Sequence, residues 1–262
     1  MTGRAWTPEQ LEARGMALLD LPYYPIATQT YTRQQDWRVV NVLAGIAASL
    51  HKFALDFRVL QSPAFGEWSE PFGAKQVGSS AMPFKRNPIN MENICSLARY
   101  VAALPAVLWD NHSQAILERS LDDSANRRLV FPEAFLASDE MLRRATRVVR
   151  DMRFDTGAMA RNLAVYGPFA ATEGVLMALV ARGADRQAAH DWIRTASLEA
   201  WAALQADAAH NPLVERLAAQ PEIGAYLDGA TLAHLMAAEA HVGTAPRRAR
   251  AYAEMLDQAL GA

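Results

Sequence analysis

The stretch DWRVVNVLAGIAASLHKFALDFRVL, residues 36–60, contains no proline and places Val39, Val40, Leu43, Ile46, Ala47, Leu50, Phe53, Ala54, Phe57 and Leu60 at steps of three and four. That spacing is the period of an α-helix with one apolar face. A helix of about 25 residues at 1.5 Å per residue is a rod of ~37 Å. Two further rods are expected downstream. One enters through Asn87-Pro88, a cap-like residue followed by a proline suited to the first turn, and runs to about Trp109. The other runs from about Asp122 to Met152, with Leu129, Phe131, Phe135, Leu136, Met141, Leu142, Val148 and Val149 as its apolar stripe and a kink at Pro132. Three helices of such length cannot bury their faces in a small globule and suit an extended bundle.

Upstream, Thr7-Pro8-Glu9-Gln10 has the pattern of an N-cap, a first-turn proline and a capping-box glutamine, opening a short helix to about Leu19 that Pro22 and Pro25 end. After Phe154 the pattern shortens to helices at roughly 157–164, 170–182, 186–206, 211–219 and 246–260, punctuated by Gly167-Pro168, Gly183, Asn211-Pro212 and Gly243 to Pro246. No alternating strand pattern or internal repeat accompanies them. The fold class expected is all-α: a long-helix bundle segment over 1–153, with a loop at 61–87, and a smaller carboxyl-terminal helical domain over 154–262.

Composition narrows the function classes. Apolar residues are 51% and charged residues 21% of the 262, a globular profile. Lys plus Arg is 26 against 28 for Asp plus Glu, a net charge of −2, so there is no global positive field for a nucleic-acid backbone. An anionic ligand has to be met by local cations. The amino terminus is interrupted by Glu9, Glu12 and Arg14, and no later stretch reads as long and uncharged enough to span a membrane. The lone cysteine, Cys95, allows no internal disulfide and fits a reducing, cytoplasmic compartment. No histidine pair has metal-ligand spacing with supporting acids, so neither a metal nor another cofactor is expected.

The segment without periodicity, Gln61 to Asn87, is too long for an ordinary connection between packed helices. It ends in Gly78-Ser79-Ser80-Ala81-Met82-Pro83-Phe84-Lys85-Arg86-Asn87-Pro88: a glycine, two hydroxyls, two cations and an amide leading into a helix start with free N–H groups. Such a combination receives an anion and sets a hydroxyl beside it. The run resembles the signature loop of the fumarase/aspartase superfamily of lyases. A second run, Glu118-Arg119-Ser120-Leu121-Asp122-Asp123-Ser124-Ala125-Asn126-Arg127-Arg128, resembles the adenylosuccinate lyase branch, with support from Thr28-Gln29-Thr30-Tyr31-Thr32-Arg33, from Pro168 to Glu173, and from Arg186-Gln187 with His190 and Arg194.

The resemblance implies elimination of fumarate from adenylosuccinate, and from the related succinylaminoimidazole-carboxamide ribonucleotide (SAICAR), without a cofactor. It assigns Ser79 as the general base for the β-proton, activated by nearby positive potential from Lys85 and the helix start at Pro88. Ser80, Met82, Asn87, Gln29 and Asn93 match substrate-contacting positions. Ser80 competes with Ser79 as a simple loop hydrogen-bonder, Asn87 as a helix cap, and Gln29 and Asn93 as surface polar groups. Ser124 and Arg128, one helical turn apart, can grip one oxyanion together, with Arg119 folding over the same ligand. Arg127 is expected instead to pair with Glu118, Asp122 or Asp123.

The chain departs from the family pattern in lacking the amino-terminal half, which in the family supplies two histidines, one the general acid. His51, His112, His190, His210, His234 and His241 do not match them. In the family the site forms where three subunits of a homotetramer meet. The expected partners are therefore a small-molecule nucleotide and either further copies of the chain or a separate amino-terminal half, with no nucleic acid and no membrane. Another superfamily lyase, such as argininosuccinate lyase or a cycloisomerase, and a non-catalytic helical assembly subunit are the alternatives.

Overall fold

A computed structural model of the chain describes residues 6–72, 82, 85–206 and 210–261. It is helical almost throughout, and the chain divides into two compact units, Met1–Ser62 with Trp68–Arg153 and Pro63–Glu67 with Phe154–Ala262. The all-α expectation is met.

In the first unit α1 (Pro8–Leu19) starts where the Thr7 side chain accepts from Gln10 N–H at 3.3 Å and Gln10 returns the bond to Thr7 N–H at 3.2 Å. It ends at Asp20, whose left-handed φ of 51° closes the last turn. None of its residues is buried. The bundle consists of α2 (Gln34–Gln61), α3 (Ile89–Ser113) and α4 (Asp123–Asp151). Toward one end Ala47, Ala54, Phe57, Met91, Ile94, Val101, Met141 and Val148 close a core. Toward the other, Val40 meets Leu104, Leu108, Val130 and Ala134. Pro105 and Pro132 lie inside α3 and α4 without ending them.

The buried line of α4 differs from the expected stripe. Val130, Ala134, Ser138, Met141, Ala145 and Val148 face the core, whereas Leu129, Phe135, Leu136, Leu142 and Val149 are exposed. Reading the largest apolar residues as the core face missed that small residues let α4 approach its neighbours closely. The helix has two apolar faces, one of which the bundle leaves open.

In the second unit α5 (Thr156–Ala181), α6 (Arg186–Gln205), α7 (Leu213–Ala218), α8 (Pro221–Gly224) and α9 (Gly229–Leu235) enclose Val175, Leu179, Ile193, Leu213, Leu217, Ile223 and Leu232. A short 3-10 helix, Ala238–Val242, and α10 (Ala245–Leu260) follow. Asp155, Asp185 and Asp228 cap α5, α6 and α9 through backbone N–H groups three residues on. The break expected at Gly167-Pro168 is absent, and α5 runs straight through it. A mid-helix proline costs about 3 kcal/mol. Both residues are buried here, and Gly167 admits the close approach of Ala238, so packing outweighs local preference.

The strands among the described residues are two-residue pieces, β1 (Trp68–Ser69) and β2 (Arg153–Phe154), which pair. Among the described residues two helices could cross a membrane by length and mean hydropathy, 1.3 for α2 and 1.6 for α5, contrary to the sequence expectation. Each contributes to a multi-helix core, which accounts for the apolar residues.

Candidate functional site

The sequence-marked residues among those described lie toward the two ends of α3. At its amino-terminal end stand Met82, Lys85 and Asn87. Ser79 and Ser80 lie outside the described residues. The Lys85 N–H donates to the Met82 carbonyl at 3.0 Å, and the Lys85 side chain is exposed. Asn87 is half-buried, and its backbone carbonyl accepts from Ile89 N–H at 2.9 Å; the helix has no side-chain cap from Pro88 at the N-cap position.

The free N–H groups expected at this helix start are occupied. Glu70, 6% exposed, accepts from Met91 N–H at 2.8 Å with one carboxylate oxygen, and from Asn90 N–H at 3.3 Å and Nδ2 at 2.7 Å with the other. The anion at the positive end of α3 is thus the chain's own, and it offsets the positive potential expected of that helix start. Gln61 ties the two stems of the loop, accepting from Glu70 N–H at 2.8 Å and donating to the Arg86 carbonyl at 3.2 Å. Asn93, one turn into α3, has a buried Oδ1 without a hydrogen-bond donor.

Beyond the carboxyl-terminal end of α3 a pocket of about 380 Å³ opens between residues 24–33 and 111–123. It brings together two of the sequence motifs that stand some ninety positions apart, the Thr28 to Arg33 run and the run starting at Glu118. Arg119 lines it; Gln29 is exposed between the lining residues Thr28 and Thr30. Ser124 is half-buried and Arg128 exposed, and neither is part of this wall.

Beneath the pocket lies a charge network that the sequence did not reveal. Arg33 Nε donates to Asp123 Oδ2, and both side chains are under 10% exposed. Arg127 Nε donates to Asp36 at 2.5 Å and its Nη2 to the Tyr31 hydroxyl at 2.7 Å, while that hydroxyl donates to Asp36 at 2.6 Å. Arg127 is therefore paired, but with Asp36 rather than with its neighbours on α4. Burial opposes the Arg127 charge, yet the Asp36 hydrogen bond and charge outweigh it and hold the guanidinium above its usual range. The Tyr31 hydroxyl is pushed up by burial first, then by its bond to Asp36. Long-range pairs such as Arg33 with Asp123 leave no local signal in the sequence. Among the described residues no group of His, Cys, Asp and Glu is disposed to hold a metal ion.

The two ends cannot meet within one copy. α3 has 25 residues, so at 1.5 Å per residue about 37 Å separate Lys85 and Asn87 from the pocket.

A family model described as "Adenylosuccinate lyase C-terminus" matches residues 168–251, and one described as "Lyase" matches residues 6–103. Adenylosuccinate lyase of Schizosaccharomyces pombe is 38% identical over 87% of this chain and 47% of its own length. That of Archaeoglobus fulgidus is 33% identical over 96% and 55%. The chain spans about half the length of these relatives. Among solved structures, 3-carboxy-cis,cis-muconate lactonizing enzyme from Pseudomonas putida superposes with a TM-score of 0.73 at 28% identity, covering 88% of this chain and 49% of that one. A fumarate lyase from Mesorhizobium sp. BNC1 gives 0.75 at 24%, covering 97% and 53%, a likeness of fold.

Proposed function

Since the chain belongs to the adenylosuccinate lyase family of the fumarase/aspartase superfamily and corresponds to its carboxyl-terminal portion, we propose that it forms part of an enzyme eliminating fumarate from adenylosuccinate and SAICAR. The alignment with adenylosuccinate lyases over 87–96% of the chain carries the proposal. In this reading Ser79 removes the β-proton of the succinyl group and Lys85 supplies the positive charge that lowers the cost of the alkoxide and of the carbanion-like species. The departing nitrogen takes a proton from an acid outside this chain's assigned residues. Electrons of the broken C–H bond become the new C=C bond of fumarate as the C–N bond breaks. No cofactor or metal takes part.

Arg119, Ser124 and Arg128 grip one oxyanion of the nucleotide substrate, with Gln29, Ser80, Met82, Asn87 and Asn93 as further contacts. The separation of Lys85 from Arg119 along α3 supports a site shared between chains: one copy gives its loop, another its pocket. Further copies, a tetramer by analogy, or an amino-terminal half cover the open bundle faces. A cytoplasmic setting fits the single buried thiol, Cys95.

Fumarate release is measured with the chain alone and mixed with the amino-terminal half of a relative. Activity in the mixture, abolished by Ser79→Ala, is the expected result. No activity in either, with both parts folded, defeats the proposal, and turnover of argininosuccinate or a muconate instead would move the chain to another branch.

A further inference from the structure

All 16 residues of α10 (Ala245–Leu260) are exposed, and the core of its unit closes without them. Yet the helix carries an apolar line. Ala245, Ala249, Tyr252, Leu256 and Ala259 follow one another at steps of four, three, four and three, with Met255 and Leu260 beside them. That is the heptad spacing of a seam between two helices. A short helix draws most of its stability from packing such a face. This one has no side-chain N-cap to help it.

Its charges are also placed against its own dipole. Arg247, Arg248 and Arg250 stand in the first half and Glu254 and Asp257 in the second; the first turn has no acid and the last turn no base. The helix dipole favours the opposite arrangement. A second α10 laid antiparallel answers both needs, because it sets basic half beside acidic half and seam against seam. A parallel copy would set arginines beside arginines. In the antiparallel register that places Tyr252 against Leu256 of the second copy, Ala249 falls against Ala259 of that copy, so the large residues meet at the centre and alanines at the ends let the backbones approach. We propose that α10 is a self-association element that pairs antiparallel with α10 of a second copy of this chain about a two-fold axis. The inference stands on α10 and is independent of the reaction.

Cross-linking of the full chain tests it. Ala249→Cys and Ala259→Cys replace exposed alanines. In the antiparallel pair position 249 faces position 259 of the second copy, whereas two copies of position 249 stand ten residues, or about 15 Å, apart along the axis. The two variants, one of them isotope-labelled, are mixed and oxidised mildly, and the dimers are weighed by mass spectrometry. Dimers containing one of each should exceed same-variant dimers about tenfold, and Leu256→Asp placed in both variants should cut their yield about tenfold, the effect of losing one buried leucine from the seam. The wild-type chain, whose Cys95 is buried, sets the background. Mixed dimers at the background level, same-variant dimers as abundant as mixed ones, or a yield untouched by Leu256→Asp overturn the inference. So does loss of the cross-link once the amino-terminal half of a relative has bound, which would make that half the occupant of the seam.

Discussion

The backbone N–H of Met91 donates a 2.8 Å hydrogen bond to the carboxylate of Glu70, which two groups of Asn90 also approach. Glu70 thus closes the amino-terminal end of α3 and, through Gln61, is tied to the carbonyl of Arg86 on the far stem of the signature loop. Glu70→Gln keeps the volume but loses the charge facing the helix dipole. It should lower stability by about 1–3 kcal/mol, seen as a lower urea midpoint, with faster amide exchange at residues 85–91. An unchanged midpoint would show that the carboxylate is not what holds this helix start.

Tyr31 gives a pH signature. Burial and the bond to Asp36 raise its pKa above 10.0 in the folded chain, so the folded state holds this proton more tightly than the unfolded one. The associated stability is complete below about pH 10, the unfolded tyrosine's value, and is lost as the pH rises through the folded pKa. Wild-type stability should therefore fall more steeply above that pH than that of Tyr31→Phe. Parallel profiles for the two proteins would contradict the assignment.

The open face of α4 bears on assembly. Leu129 and Leu136 are 63% and 69% exposed, with Phe135 at 50% on the same helix. Apolar area of this extent along a bundle marks a contact surface. Leu136→Asp should leave the fold intact by circular dichroism while shifting sedimentation toward the monomer. A wild-type chain that sediments as a compact monomer at every concentration would remove the reason for the experiment and the proposed self-association with it.

The bundle was legible because its evidence is local: steps of three and four over residues 36–60, a capping box at Thr7, and the proline at position 88 where α3 begins. The two motifs of the pocket could be named from their residue types, and the chain does bring residues 28–33 beside 118–123. The sequence could not show which acid each arginine takes. Arg127 pairs with Asp36, 91 positions away, rather than with Asp122 or Asp123 nearby. Glu70 escaped notice for the same reason, since a lone glutamate in an aperiodic loop carries no sign of the helix end it caps. Alanine and serine lines such as Ala134, Ser138 and Ala145 define the close face of α4, and hydrophobicity ranked by size overlooks them.

Gly167 illustrates how a local rule is overridden and how that can be tested. Paired with Pro168, it reads as a helix break, yet α5 is continuous because the glycine permits contact with the 3-10 segment. A Cβ at position 167 would lie 2.5 Å from the Cβ of Ala238 and 3.1 Å from Leu163 Cδ1. The Ala238 Cβ is fixed to its backbone and cannot rotate away. Helix propensity favours alanine over glycine by about 1 kcal/mol, whereas overpacking of this kind costs about 1–3 kcal/mol. Gly167→Ala should therefore come out destabilised despite its better propensity, and adding Ala238→Gly should restore more stability than Ala238→Gly changes in the wild-type background, a coupling that a double-mutant cycle isolates. A Gly167→Ala protein more stable than wild type would mean that the close approach to Ala238 does not hold in solution and that the glycine is retained for another reason.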